Sequence, residues 1–106
     1  MSKQVFINLP VSDLSVSTPF YEKLGFVKND MFSDTNASAM QWSDTIVVML
    51  LDRAYYKTFI ANKEVADTKA TSGVLLALSF DLRADVEAIA ETAANNGGSS
   101  FKIETG

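Results

Sequence analysis

The stretch from residue 5 to residue 26, VFINLPVSDLSVSTPFYEKLGF, limits what this chain can become more than any other, because three kinds of local signal follow one another in it. Val5, Phe6, Ile7 and Leu9 are β-branched, aromatic or aliphatic residues that suit a pleated surface. Pro10 has no N–H to give to a ladder, so the strand is expected to stop there. Ser12 and Asp13 carry side-chain oxygens suited to a helix N-terminus. Leu14, Phe20, Tyr21 and Leu24 then fall near one helical face, and Gly25 stands where a left-handed C-cap is wanted. Pro19 is at odds with an unbroken helix, since a proline deep in a helix loses a hydrogen bond and crowds the preceding turn. The expectation is a helix proper that begins with Thr18 as cap and Pro19 at its first position. Strand, acidic turn and helix in this order open a βαβββ module.

The next residues supply the other strands. Residues 27–32 read as a short strand, 33–36 as a turn, 39–42 as a third strand, 43–45 as a tight turn and 46–51 as a fourth strand. The last of these, IVVMLL, is apolar on both faces, which calls for cover on both sides. The first module therefore spans about 3–52. After it, Asp52 is a plausible cap for a short amphipathic helix carrying Tyr55, Tyr56, Phe59 and Ile60, and 61–72 is a polar, aperiodic loop, so that about 53–72 is a linker.

A second pass of the same signals begins at Gly73. GVLLALSF reads as a strand, Asp81-Leu82 repeats Asp13-Leu14 at an offset of 68 residues, and Val86, Ile89, Ala90 and Ala93 mark a helix that closes at Asn95-Asn96-Gly97-Gly98. Residues 99–103 start a further strand. The sequence printed stops at Gly106, so the reading is an α+β domain of paired βαβββ modules whose second module, about 73–106, is incomplete.

Val11-Ser12-Asp13-Leu14 followed by Ser17, Phe20-Tyr21 and Leu24-Gly25-Phe26 gives V-x-D-L and then S-x-x-F-Y-x-x-L-G-F. This pattern resembles the vicinal oxygen chelate superfamily of glyoxalases, bleomycin-resistance proteins and extradiol dioxygenases. The resemblance implies the glyoxalase-like fold. In metal-dependent members it further implies a histidine or glutamine on the first strand, a glutamate on the fourth, a histidine on the fifth and a glutamate on the eighth. Counted from V-x-D-L, those positions here are Phe6, Met49 and Leu75, with Val74 as the alternative to Leu75, and the eighth strand would lie beyond Gly106. The chain has no histidine, and neither a phenyl ring, an isobutyl group nor a weakly donating thioether holds a hard cation. No metal site and no cofactor are expected.

Strand alternation then gives the walls of a cleft. If Phe6 faces it, so does Asn8, while Val5, Ile7 and Leu9 face the helix layer. On the fourth strand Val47, Met49 and Leu51 share the face, on the fifth Leu75, Ala77 and Ser79, and Trp42 is placed at the rim. An apolar pocket with Asn8 and Ser79 as its polar groups is how small-molecule sites are built, and a collapsed core looks the same. No catalytic residue is assigned: without His or Cys there is no ordinary triad, and Asp13, Asp81 and Asp85 stand where helix starts want carboxylates.

Composition excludes several classes. The net charge is -4 and nine Lys and Arg are scattered singly, which argues against nucleic acid. No apolar run approaches a membrane span, no signal peptide is seen, and the absence of cysteine removes disulfides and thiolate sites, so a cytoplasmic protein is expected. Three functions fit: a metal-free binding protein for a small aromatic or cationic molecule, a lactoylglutathione-lyase-like or dioxygenase-like enzyme with unrecognised ligands, or a dimerising module without a ligand. A homodimer is expected in any case, because curved half-barrel sheets leave unpaired edges.

Overall fold

The computed structural model describes residues 3–61, 63–67 and 70–98. In chain order its elements are β1 (Val5–Val11), α1 (Leu14–Lys23), β2 (Val27–Asn29), a 3-10 turn (Asp30–Phe32), β3 (Ala37–Gln41), β4 (Ile46–Asp52), α2 (Arg53–Lys57) and α3 (Arg83–Asn95). The strands form one sheet in the order β1-β4-β3-β2. β1 lies parallel to β4, with Val5 opposite Ile46 and Val11 opposite Asp52, while β2, β3 and β4 form an antiparallel meander. This is the βαβββ module. The further strand expected at 99–103 lies outside the described residues.

β1 passes through Pro10 instead of stopping at it. The reason is its place at the edge of the sheet. Val5 N–H donates to Thr45 O on the β4 side, so by alternation the N–H of Phe6 and Asn8, and the position where Pro10 lacks one, point off the sheet. The proline costs no ladder bond there.

Pro19 also sits inside its element, since α1 starts at Leu14 and not at Thr18. Asp13 caps the helix, its Oδ1 accepting from Ser15 N–H at 2.9 Å and from Ser15 Oγ at 2.6 Å. Pro19 lies on the exposed side of α1, where the carbonyl one turn back remains open to water. The opposite side holds the helix to the sheet: Leu14, Tyr21 and Leu24 pack against Phe26, Met40, Val48 and Leu50, and Thr18 is buried among them. Gly25 takes φ 106° after Leu24, as the C-cap reading required.

Four further expectations are corrected. Residues 30–32 leave the second strand for a 3-10 turn once Asn29 Oδ1 accepts from Met31 N–H at 3.1 Å. The third strand is Ala37–Gln41, and Trp42 lies beyond it. α2, capped by Asp52 Oδ1 on Tyr55 N–H at 2.8 Å, ends at Lys57, short of Phe59 and Ile60. Residues 73–80 form no strand, and α3 is preceded by Leu82 without a side-chain cap from Asp81. β4 is covered on both sides as its composition demanded, with Val47, Val48, Leu50 and Leu51 all buried.

Candidate functional site

One face of the sheet packs on α1; the other is open at β1, where Phe6 and Asn8 are exposed, and closed over β4, where Val47 and Leu51 are buried. Val48, Leu50, Met40 and Ser38 look toward α1, so the residues between them in register look away: Phe6 lies opposite Val47, Asn8 opposite Met49, and Gln41 and Ala39 continue the same face on β3. Phe6 is 48% exposed, Asn8 is exposed and Met49 is half-buried. Phe6, Asn8, Val47 and Met49 thus share one face of the sheet, with Val47 buried in it. The two first-module positions implied for metal ligands, Phe6 and Met49, are close neighbours on it and carry no hard donor. Among the described residues no three His, Cys, Asp or Glu side chains gather as a metal site.

The other named residues lie elsewhere. Trp42 packs on the α1 side, 5.0 Å between ring centroids from Phe26 and 5.5 Å from Phe80. Its alternation with Met40 carried that information already. Leu75 is 91% exposed, and Ala77 and Ser79 are exposed on a segment that makes no backbone hydrogen bond to another described residue between 73 and 80.

A cleft of about 690 Å³ runs along the outer edge of β1. Residues 7–11 form its floor, Tyr21 of α1 and Tyr56 of α2 stand on it, and Ala66 with residues 70–74 line it from the linker side. Arg53 holds that wall, its guanidinium donating to Val65 O and Ala66 O at 3.3 Å each, and Lys57 pairs with Glu64 at 3.6 Å. Asn8 belongs both to the cleft and to the open face. Its Nδ2 reaches Phe6 O only at 3.5 Å, so the amide is free to meet a ligand.

Of two groups that sequence reasoning did not assign to a site, one lines the cleft and the other lies on β3, away from it. Tyr21, placed by its helical spacing in the core, lines the cleft as well, and burial raises its phenol above the ordinary value. Gln41 Oε1 accepts from Asn29 Nδ2 at 3.1 Å on the open face, where the pairing of Gln41 with Val47 puts it. Asp13 is held below the ordinary carboxylate value by the Ser15 hydroxyl and the Ser15 N–H, which is the chemistry of a cap and not of a base.

No protein-family model matches the chain, and no curated protein matches it. Solved structures do. Hypothetical protein SA1046 from S. aureus is similar at 22% identity with a TM-score of 0.71, over 92% of this chain and 71% of that one. A glyoxalase/bleomycin resistance protein/dioxygenase family enzyme from Burkholderia phytofirmans PsJN is similar at 13% identity with a TM-score of 0.61, over 91% of this chain and 74% of that one. The chain has this glyoxalase-like fold. Among the described residues no helix is long and apolar enough to cross a membrane.

Proposed function

We propose that this chain is a metal-independent binding module of the glyoxalase and bleomycin-resistance type, which holds a small aromatic or cationic molecule against β1 in the cytoplasm. The observation that carries the reading is the cleft beside β1, apolar along Ile7 and Leu9 and provided with one loosely held amide, Asn8. Tyr21 and Tyr56 supply faces on which an aromatic or cationic group can rest, and the net charge of -4 favours a cation by field. Phe6 and Met49 on the open face support the metal-independent part, since they cannot bind two substrate oxygens through a divalent ion. Pairing of βαβββ modules, within the chain or across a homodimer, belongs to the same proposal.

A thermal-shift screen over small aromatics, cationic drugs and glutathione adducts tests it, because a ligand of the native state raises the melting temperature. Hits that saturate and need no metal support the reading. Elemental analysis and titration with Ni, Zn, Mn and Fe(II) provide the opposing arm: a stoichiometric ion, with activity dependent on it, would replace this reading by the lyase or dioxygenase one.

A further inference from the structure

α3 runs out into Asn95-Asn96-Gly97-Gly98, and several contacts close that end. Asn96 N–H donates to Ala93 O at 3.2 Å, and Gly98 N–H donates to the same oxygen at 2.8 Å. Gly97 takes φ 99°, the left-handed turn that brings the chain back over the last carbonyls. The Asn96 side chain adds a third bond, its Nδ2 donating to Thr92 O at 2.8 Å. At Gly98 the main chain is seated tightly: a Cβ there would stand 2.8 Å from Ala93 O and 3.3 Å from the ring of Phe20 on α1.

Asn96 is also the only asparagine of the sequence that is followed by glycine. With no side chain on Gly97, nothing shields its backbone nitrogen from the Asn96 amide. Gly97 is exposed, and its N–H has no hydrogen-bond partner among the described residues. An unencumbered nitrogen next to a primary amide is the arrangement from which asparagine cyclises. In the closed end the amide is engaged one turn back, on Thr92 O, and not forward toward Gly97 N. The reacting atoms therefore meet only when the end of α3 opens.

We propose that Asn96 is a site of spontaneous isoaspartate formation, and that the conversion unlatches the C-terminal end of α3. The deprotonated Gly97 nitrogen attacks Asn96 Cγ: an N–C bond forms, the Cγ–Nδ2 bond breaks, and ammonia leaves with the proton, giving a cyclic imide. Water then adds to either imide carbonyl. Opening on one side gives aspartate, and opening on the other gives isoaspartate, whose main chain runs through the former side chain and is longer by a methylene. No oxidant or reductant is needed. Both products lose the donor to Thr92 O and put a carboxylate at the negative end of the helix dipole, where α3 has no basic residue in its last turn to offset it. The longer main chain of isoaspartate also shifts Gly98 off Ala93 O, at the place where Ala93 and Phe20 leave it least room. The inference does not rest on the binding reading above.

The full chain is aged at mildly alkaline pH and mapped by peptide mass spectrometry, and isoaspartate is scored by methyl transfer from S-adenosylmethionine with an isoaspartyl carboxyl methyltransferase. Conversion should be concentrated at Asn96 and lost in Asn96→Gln, whose longer side chain cyclises poorly. Label spread evenly over the other asparagines, or kept in Asn96→Gln, would overturn the assignment. Because the amide must first leave Thr92 O, conversion should be roughly threefold to tenfold slower in the native chain than in urea. Equal rates would mean that the closed end does not guard the amide. Hydrogen exchange on the isolated isoaspartate form reads the consequence. The Asn96 and Gly98 amides should exchange about tenfold faster than in the unaged chain, while the amides of β4 stay as slow. Unchanged exchange at the end of α3 would overturn the unlatching.

Discussion

Thr18 on α1 and Ser38 on β3 share a buried hydrogen bond, 2.8 Å between their hydroxyl oxygens, across the layer that joins helix to sheet. Both are buried, at 9% and 4% exposed. Removing one partner leaves the other hydroxyl without water or a bond, so Thr18→Val or Ser38→Ala alone should cost about 1–3 kcal/mol. The double variant should lose less than the sum. Denaturant unfolding of the four proteins checks this, and strictly additive losses would mean that the hydroxyls act independently.

Asn8 should be the main polar contact to a bound molecule. Asn8→Leu is expected to weaken the best hit of the thermal-shift screen by roughly tenfold, about one hydrogen bond. Titration calorimetry reads the affinity and a melting curve reads the stability. An unchanged affinity with a raised melting temperature would make Asn8 a tolerated sheet residue and no more.

Gly25 ends α1 at φ 106°, with open space where a Cβ would stand. The cost of a side chain is therefore one of backbone conformation alone, and Gly25→Ala should destabilise by about 1–2 kcal/mol. Gly25→Asn should cost less, because asparagine enters the left-handed region more readily. Equal losses in the two variants would argue for a steric cause that the geometry does not contain.

Asp13 gives its cap a defined pH dependence. Bonds from the Ser15 hydroxyl and N–H favour the carboxylate, so its folded pKa lies below the ordinary value. For a depressed pKa, the stabilisation is complete above the unfolded value and is lost as pH falls through the folded one. The stability gap between the unsubstituted chain and Asp13→Ala should therefore be flat at neutral pH and narrow on acidification below the ordinary carboxylate range. A gap that persists at low pH would assign the cap to something other than the charged form.

Phe6, Met31, Phe32 and Phe59 are 48%, 88%, 60% and 65% exposed, an unusual amount of large apolar surface for a chain of 106 residues. Light scattering at micromolar concentration should give a homodimer. A monomer near 11.5 kDa would mean that residues within one chain cover this surface.

The sequence by itself determined the order and type of the first module. Those signals are local: β-branched runs, the acidic Asp13 and Asp52 before helices, and Gly25 and Gly97, both at positive φ after theirs. Alternation also put Phe6, Asn8, Val47 and Met49 on one face before any contact was known, because a strand's period of two needs no partner. What local signals could not give was position within the sheet. Pro10 reads as a stop until β1 is known to be an edge strand with that N–H pointing outward. Pro19 reads as a helix start until Leu14, Thr18 and Tyr21 are seen to anchor the turns on either side of it. The same holds for 73–80, whose composition is that of a strand: whether it becomes one depends on a partner edge, and among the described residues the tertiary structure gives it no ladder. Ladder bonds join residues distant in sequence, so their presence is decided by the folded arrangement and not by the run of side chains.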